Sequence, residues 1–409
     1  MTITVSLEAL DPIFAALDPD CRVVASGNFA TPHTLLAAFD KSVSEYRLHM
    51  LNAQPGIPDR EGVTLETCFV GPGMRKSPRL AYIPSRLSLV PVLFRTTRRP
   101  DVVLLHTSLP RKGIVSLGVE VNILPAAIEA VKARGGIVVA QVNKNMPFTH
   151  GDALVHVADI DYMVEVDEPL STHTTGEITP LAKQIGDRIA ARIANGSTLQ
   201  MGIGAVPDAV LSSLTDRKDL RIWTEMFSDG VLRLEQLGAL DRYEPISASF
   251  LFGSHELYDW IDDNSRVRMV RTEKSNDPAI ISRRPAMTSV NSALQVDLYG
   301  QANASRINGK IYSGFGGSTD FIVGALHSVG GQAFIALPSW HPKANVSTIV
   351  PSLDEPVTSF QHSAVVTEHG IAEIYGYSQR TQAANLIEHA AHPDAREELR
   401  AAARQMNLA

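Results

Sequence analysis

A strand, a helix and a second strand follow one another between residues 101 and 143, and this order most constrains the fold. DVVLLHTSLP (101–110) is a continuous apolar run, NILPAAIEAVKARGG (122–136) has helical periodicity and ends in two glycines, and IVVAQVN (137–143) is apolar again. Two apolar strands joined by an amphipathic helix are typical of a βαβ unit with parallel strands. The sequence therefore predicts a parallel sheet.

The same alternation of strands and helices returns in the second half of the chain. PLAKQIGDRIAARIANG (180–196) begins with proline, carries apolar residues at four-residue steps and ends in Asn-Gly, so it predicts a helix. The polar stretch DEPLSTHTTGEITP (167–180) predicts a linker. A chain of 409 residues is also near the limit for a single core. We therefore predict two α/β domains with open parallel sheets, 1–175 and 176–409.

Composition excludes several classes of protein. The net charge of −7 gives no general attraction for nucleic acid or anionic membranes, so neither is an expected partner. Only Cys21 and Cys68 occur, which argues against a disulfide framework. The start MTITVSLEALDPIFAALD lacks the features of a signal peptide, and no apolar stretch is long enough to span a membrane. A cytoplasmic protein is the expectation.

The stretch MGIGAVPDAVLSSL (201–214) is the first that could carry chemistry. Gly202 and Gly204 end a predicted strand, and Pro207 suits the first turn of the helix that follows. A helix start presents unpaired N–H groups and a partial positive charge, so such a turn can hold a phosphate or stabilise an oxyanion. The alternative is a tight turn that needs glycine for its geometry alone.

A glutamate, Glu225, ends the apolar run in RIWTEMFSDG (221–230), with no cation beside it in sequence. The carboxyl ends of parallel strands meet at one edge of a sheet, so Glu225 and Gly204 are predicted to face one crevice. A glutamate there can act as a general base, a metal ligand or a nucleophile. The alternative is a strand-end carboxylate in water or paired with a surface arginine.

Three glycines lie close together in KIYSGFGGSTDF (310–321), at Gly314, Gly316 and Gly317. They indicate either a backbone packed against a large group or an ordinary flexible loop. The 13 histidines are scattered and form no HExxH motif, so we expect no metal site. No GxSxG or Walker A motif occurs either.

Taken together, these stretches resemble the acetyl-CoA hydrolase/transferase family, which includes 4-hydroxybutyrate and acetate CoA-transferases among the class I CoA-transferases. The first half is similar more loosely, through YIPSRLS (82–88), VSLG (115–118) and VNKNMPFTHGDALVHVADID (142–161). The closer matches, in the family's order, are GIGAVPDAV, TEMFSDGVLRL, SNDPAI (275–280), VNSALQVDLYGQ (290–301), IYSGFGGSTDF, FIALPS (334–339), VVTEHGIAEIYG (365–376) and LIEHAAHPDAREEL (386–399).

The resemblance implies a CoA-transferase in which Glu225 is the nucleophile and acyl-CoA and small carboxylic acids are the substrates. Glu225 would form a mixed anhydride and then a glutamyl-CoA thioester, in a ping-pong sequence. Backbone N–H groups of Val206 and Gly314 would stabilise the tetrahedral intermediates. The resemblance also implies a homodimer and no cofactor besides CoA itself, which is a substrate. The implied CoA-binding residues are Gly202, Ile203, Gly204, Ala205, Val206, Asn291, Lys310 and Gly314.

The chain departs from the family pattern at three positions that usually hold arginine. Val323, Thr348 and Tyr375 stand there, and the family's SPPDxxG loop reads SLPRKG (108–113). These changes leave the acyl and acceptor specificity open.

Two other functions follow as alternatives. In an acyl-CoA hydrolase, water would replace the acceptor acid on the same glutamate. In a catalytically silent acyl-CoA-binding protein, the fold alone would remain. Arg111 and Lys112 introduce positive charge into the rewritten loop, which is a possible compensation for the missing arginines.

Overall fold

The computed structural model describes residues 2–173, 176–314, 316–357 and 361–409. The chain divides into two compact units. The first comprises Met1–His173 and Pro245–Ser275, and the second comprises Thr174–Glu244 and Asn276–Ala409.

The first unit contains a large sheet whose neighbouring strands are all parallel, in the order β1-β11-β8-β6-β2-β3-β4-β5. The strands up to residue 173 are β1 (Ile3–Thr4), β2 (Cys21–Ala25), β3 (Tyr46–His49), β4 (Val63–Thr67), β5 (Leu80–Tyr82), β6 (Val102–Thr107), β7 (Ile114–Ser116), β8 (Ile137–Asn143), β9 (His150–Gly151), β10 (Leu154–His156) and β11 (Tyr162–Val166). The helices are α1 (Asp11–Ala15), α2 (His33–Ser42), α3 (Val90–Arg95) and α4 (Leu124–Lys132).

The predicted βαβ unit is confirmed as β6, α4 and β8. β6 and β8 pair in parallel from Val102 opposite Ile137, and every residue of β6 is buried. A strand covered on both faces is apolar along its whole length, which explains the continuous apolar runs in the sequence. α4 buries Leu124, Ala127 and Val131, the apolar stripe that the sequence shows.

The remaining elements belong to the second unit and to the segment 245–275. The strands are β12 (Thr198–Met201), β13 (Arg221–Ile222), β14 (Met226–Phe227), β15 (Ile246–Ala248), β16 (Phe250–Leu251), β17 (Val267–Met269), β18 (Thr288–Ser292), β19 (Gln295–Asp297), β20 (Ala302–Asn303), β21 (Arg306–Ile307), β22 (Lys310–Ile311), β23 (Gln332–Ala336), β24 (Trp340–His341), β25 (Val346–Ser347), β26 (Ile349–Val350), β27 (Ala364–Thr367) and β28 (Gly370–Glu373). The helices are α5 (Pro180–Ala190), α6 (Ala205–Ser212), α7 (Asp229–Gln236), α8 (His255–Ile261), α9 (Thr272–Ser275), α10 (Pro278–Ile281), α11 (Ser318–His327), α12 (Gln379–Asn385) and α13 (Pro393–Gln405), with a π-helical turn at Leu386–Ala390.

The segment 245–275 belongs to the first unit, whereas the predicted range 176–409 included it. The reason is strand pairing, because β17 lies between β15 and β9 in a small parallel sheet. Pairing between residues more than 100 positions apart leaves no mark in the local sequence. The predicted linker, 167–180, contains residues 174 and 175, which lie outside the described residues.

The second unit contains a six-stranded sheet in the order β13-β12-β18-β23-β27-β28, in which only the β27–β28 pair is antiparallel. The predicted α/β class with parallel sheets is therefore confirmed. α5 begins at Pro180 as predicted, with the Thr179 hydroxyl accepting from the Ala182 N–H, but it ends at Ala190, before Gly196.

The strand order of the second sheet reverses at β12. The chain passes from β12 to its neighbour β13, and later returns to the other side of β12 as β18. In open α/β sheets, ligands bind outside the carboxyl ends of the two strands at such a reversal. The crevice predicted by this rule lies beyond Met201 of β12 and Ser292 of β18.

None of the helices built from described residues combines the length and the apolar character needed to cross a lipid bilayer.

Candidate active site

Glu225 lies at the carboxyl edge of the second sheet, in the short segment between β13 and β14. The strand ends at Ile222, three residues before Glu225, whereas the sequence suggested that Glu225 is its last residue. The N–H of Trp223 still donates to the carbonyl of Leu199, over 3.2 Å, which continues the pairing with β12. Glu225 therefore emerges beside the carboxyl end of β12.

Thr224 connects this segment to the glycine turn. Its buried hydroxyl lies 3.2 Å from the carbonyl oxygen of Met201 and 2.8 Å from that of Met226. Met201 directly precedes Gly202, so one side chain contacts both the start of the glycine turn and the residue after Glu225. This places the two sequence-predicted elements at one edge, as expected from the parallel strands.

The glycine turn begins α6. Gly204 has φ of 122°, a conformation that favours glycine, and it is the N-cap residue of the helix. A Cβ built on Gly202 or Gly204 would meet no atom within 4 Å, so open space adjoins the turn. Val206 is buried in the first turn of α6, whose amide groups have no acceptor inside the helix. Ile203 and Ala205 are exposed.

The carboxylate of Glu225 is held by two groups that the sequence analysis did not assign. The side-chain amide of Asn276 donates to Oε2 over 2.8 Å, and Asn276 is fully buried. A Cβ on Gly317 would lie 1.8 Å from the same Oε2 and 2.1 Å from the Asn276 Nδ2. Since Gly317 has φ of −96°, it is needed here for space and not for a left-handed conformation.

Burial raises the pKa of Glu225 to about 7. The half-buried residue has a carboxyl group surrounded by protein atoms, and loss of water disfavours its charged form. The Asn276 amide opposes the shift, and the negative charge of Asp320 adds to it. No ion pair of Glu225 is formed among the described residues. At neutral pH, Glu225 is therefore ionised in about half of the enzyme molecules, which suits a nucleophile or a base.

The glycine loop lies directly before α11. Gly314 has φ of 125° and Gly316 has φ of 51°, while Phe315 between them lies outside the described residues. The glycine that contacts the carboxylate is Gly317, the N-cap residue of α11. The role predicted for Gly314 stays a prediction.

Asn291 and Lys310 occupy different surroundings. Asn291 is on β18, where its amide donates to the Ser289 hydroxyl over 2.8 Å and to Gln200 over 3.3 Å. Met201 pairs with Val290, so Asn291 is level with Gly202 at the strand reversal. Lys310 is exposed on the β21–β22 hairpin. Asn291 therefore lies at the predicted crevice, while the CoA contact of Lys310 stays a prediction.

The three positions that usually hold arginine carry no charge in the structure. Thr348 is buried and its hydroxyl donates to the Pro338 carbonyl over 2.6 Å. Val323 is half-buried on α11, and Tyr375 is 61% exposed.

In the first unit, the charge of Arg111 is already paired with nearby carboxylates. Its guanidinium lies 3.3 Å from Asp262 and 3.3 Å from Asp263, and 4.7 Å from the ring centre of Phe148. The compensating role predicted for Arg111 stays a prediction.

Three residues at this site carried a sequence signal without an assigned role. Asn276 lies in SNDPAI, and Gly317 and Asp320 lie in GGSTDF, both motifs that carry the family resemblance. Asn276 and Gly317 contact Glu225 across 51 and 92 residues of chain, and Asp320 affects its pKa, so only the fold identifies them. Within the described part of the chain, no three His, Cys, Asp or Glu side chains are grouped to hold a metal ion.

Comparison with known proteins identifies the family. Residues 31–172 match the model of the acetyl-CoA hydrolase/transferase N-terminal domain, and residues 253–403 match that of the C-terminal domain. The chain is 39% identical to the 4-hydroxybutyrate coenzyme A transferase of Clostridium kluyveri, over 92% of each protein. It is 36% identical to the acetyl-CoA hydrolase of Kluyveromyces lactis, over 48% of this chain and 38% of that protein.

A solved structure agrees with these matches. The 4-hydroxybutyrate CoA-transferase of Porphyromonas gingivalis superposes with a TM-score of 0.83 and 32% identity, covering 98% of this chain and 97% of that one. The glutamate site at the strand reversal thus occurs in a chain that matches both family models and full-length transferases. The chain belongs to the acetyl-CoA hydrolase/transferase family, and it is an enzyme of the CoA-transferase and acetyl-CoA hydrolase type.

Proposed function

We propose that this enzyme is an acyl-CoA:carboxylate CoA-transferase that uses Glu225 as a covalent nucleophile. The observation that carries the proposal is the state of this carboxylate. It is half-buried, has no cationic partner among the described residues, and is held by the Asn276 amide against Gly317. A strong ion pair would reduce its nucleophilicity, whereas a neutral amide donor orients it and leaves it basic.

The first half-reaction transfers CoA to the enzyme. A Glu225 oxygen attacks the thioester carbonyl carbon, the carbon–sulfur bond breaks, and CoA leaves as a thiolate. The thiolate then attacks the Glu225 carbonyl carbon of the mixed anhydride, and the acyl group leaves as its carboxylate. The enzyme now holds a glutamyl-CoA thioester, and an incoming carboxylate repeats both steps in reverse, in ping-pong order.

Two backbone donors are proposed to stabilise the tetrahedral intermediates, the N–H groups of Val206 and Gly314. Val206 is in the first turn of α6, beside open space at the glycine turn. One such donor is worth about 3–4 kcal/mol, or roughly 100- to 1000-fold in rate. A Cβ on Gly317 would lie 1.8 Å from Oε2, so the carboxylate fills the space beside this glycine.

CoA is proposed to bind as a substrate along the glycine turn, residues 202–206, with Asn291 at the same strand edge and Lys310 on the hairpin. The open space beside Gly202 and Gly204 supports this path, because a thiol arm needs close access to the backbone. No prosthetic group is proposed, since every step uses Glu225, backbone amides and the two substrates.

Mass spectrometry tests the covalent step. Incubation with an acyl-CoA in the absence of acceptor should add CoA to the intact protein with loss of water, and peptide mapping should locate it at Glu225. Glu225→Ala should lose the adduct and reduce CoA exchange by about 1000-fold or more. Glu397→Ala, at an exposed glutamate on α13, is the matched control and should behave as the native enzyme. Unchanged exchange in Glu225→Ala would exclude the mechanism.

Hydrolysis is the second candidate function, because water can replace the acceptor on the same intermediate. Two observations favour it: the uncharged residues Val323, Thr348 and Tyr375 offer no cation to an acceptor carboxylate, and a hydrolase is among the similar proteins. The test is release of free CoA from acetyl-CoA without added acid. Release that needs a carboxylate supports the transferase, and release at full rate without one supports the hydrolase.

A homodimer in the cytoplasm is a further proposal, and it rests on the family resemblance and on the sequence alone. Light scattering of the purified chain would measure twice the chain mass if the dimer forms, and a single chain mass would exclude it.

A further inference from the structure

A cation covers the aromatic ring that stands two residues before Glu225 in the chain. The Cζ of Arg284 lies over the Trp223 ring, 3.7 Å from the ring centre. The tryptophan is only 8% exposed, and the Arg284 Nε is buried without a hydrogen-bond partner among the described residues. Attraction between a cation and an indole face is strongest where water is excluded. The geometry therefore meets the conditions for a strong cation–π contact.

The Trp223 ring also belongs to the apolar cluster that supports the neighbours of the carboxylate. This cluster includes Ile281 of α10 and Phe321 of α11. α10 begins two residues after Asn276, the amide donor to Glu225, and α11 begins at the glycine that adjoins the same carboxylate. The indole thus packs in the core shared by both helices, and the arginine lies on its remaining face.

The segment 276–284 joins the two contacts. Within it, the Ile281 N–H donates to the Asp277 carbonyl over 2.9 Å, and the Arg284 N–H donates to the Ile281 carbonyl over 3.0 Å. The first residue of the segment donates to the proposed nucleophile, and its last residue covers the indole. One hydrogen-bonded segment therefore contacts residues 223–225 at two points.

We propose that Arg284 is a positioning residue for the nucleophile Glu225. Its guanidinium holds Trp223, and with it residues 223–225, against the segment that carries Asn276. The inference rests on the proposed function, because the exact position of this carboxylate matters only if it attacks the thioester. Arg284 itself forms and breaks no bond. Loss of the contact would displace the nucleophile, so the attack would slow while acyl-CoA still binds.

The rate of CoA loading in a single turnover separates binding from attack. The native chain and Arg284→Met are mixed with excess acyl-CoA without acceptor, and the adduct is followed by quenched-flow intact mass at several concentrations. The saturating rate should fall about tenfold in Arg284→Met, which corresponds to about 1.4 kcal/mol. The acyl-CoA concentration that gives half of this rate should change by less than about twofold. An unchanged saturating rate would overturn the inference.

Arg192→Met is the matched control. Arg192 also lies over an aromatic ring in the same unit, 5.7 Å from the centre of the Phe334 ring, and it has no assigned role in the site. This variant should load at the native rate. An equal fall in both variants would show that loss of any such contact slows loading, and it would overturn a specific role of Arg284.

A double-mutant cycle tests the route through the indole. If Arg284 acts through Trp223, adding Arg284→Met to Trp223→Leu should change the saturating rate by less than about twofold. A role independent of the indole would instead give additive losses, and a further fall of about tenfold in the double variant would overturn the proposed route.

A measurement on the native chain covers the case in which Arg284→Met fails to fold. With ¹⁵N-labelled arginine, the Arg284 Nε–H signal is identified by its loss in Arg284→Lys. It should be shifted upfield by the indole ring and should exchange slowly with water, since this nitrogen is buried. An ordinary shift with fast exchange would overturn the inference. A normal adduct in the native chain would leave the proposed function intact in each of these cases, whereas absence of the adduct would overturn both.

Discussion

Two glutamates, the buried Glu66 in the first unit and the half-buried Glu225 in the second, have opposite electrostatic properties. Glu66 on β4 is 2% exposed and accepts two hydrogen bonds from the Arg22 guanidinium, over 2.8 and 3.1 Å. Its burial alone would raise its pKa, but Arg22, with smaller effects of His49 and Arg98, holds the pKa below the ordinary value. Among the described residues, Glu225 accepts a hydrogen bond only from the amide of Asn276, and burial raises its pKa to about 7.

The comparison teaches that the partner, and not burial itself, decides what a buried carboxylate can do. A carboxylate with a bidentate arginine stays ionised and stabilises the fold, but its lone pairs are occupied. A carboxylate with one neutral donor keeps lone pairs available and stays basic near neutral pH. Glu66 is therefore a structural group, and Glu225 has the properties expected of the proposed nucleophile.

The largest of the predicted effects is the loss of stability when Arg22, the cation paired with Glu66, is removed. Arg22→Met leaves a buried carboxylate without its main partner, so the free energy of unfolding should fall by about 3–5 kcal/mol. Urea unfolding followed by circular dichroism measures it. Arg47→Met, which breaks the exposed Arg47–Asp20 pair, is the control and should cost at most about 1 kcal/mol. Equal losses of unfolding free energy in the two variants would contradict this contrast between the buried and the exposed ion pair.

Filling the space beside Glu225 should impair activity without a comparable loss of stability. In Gly317→Ala the new Cβ would overlap Oε2 of Glu225 and Nδ2 of Asn276, so one of the two must move. A displacement of about 1 Å from the reactive geometry costs roughly 100-fold, and CoA exchange should fall by about that factor. Gly176→Ala is the control, because its Cβ would meet no atom within 4 Å. Full activity in Gly317→Ala would refute the contact.

The two glutamates should also respond to pH in opposite directions. This is the smallest of the three predicted effects. Loading of the enzyme with CoA should rise about tenfold between pH 6 and pH 8, as Glu225 ionises around pH 7. Stopped-flow or quenched mass measurements of the adduct follow this rise. A flat profile over this range would contradict the raised pKa.

The contributions of Glu225 and Glu66 to folding stability change with pH in opposite directions. The folded state holds the Glu225 proton more tightly than the unfolded chain, so this contribution to stability falls as pH rises from about 4.5 to about 7. The pKa of Glu66 is lowered, so its contribution is lost as pH falls through that lowered value. Glu225→Gln should remove the first dependence and leave the second.

Local pattern was sufficient to predict the βαβ unit of the first sheet and the first helix of the second unit. β6, α4 and β8 follow from an uninterrupted apolar run, a helical stripe and a second apolar run, and Pro180 marks the start of α5. The glycine turn was also predicted from local sequence, since glycine and proline mark a turn between a strand and a helix.

Contacts between distant parts of the chain could not be predicted in this way. The amide donor Asn276 is 51 residues from Glu225, and β17 pairs with β9 more than 100 residues earlier. The extent of β13 was also misjudged, because Trp223 and Thr224 remain buried although the strand itself ends at Ile222. Gly317 and Gly314 look alike in sequence, and only the packing of α11 distinguishes them.

One face of α11 sets a limit on redesign of this enzyme. Gly317 and Gly324 are two helical turns apart, and at both a single added carbon would collide with Glu225 or with Ile281. Libraries intended to alter acyl-group preference should leave these two codons unchanged.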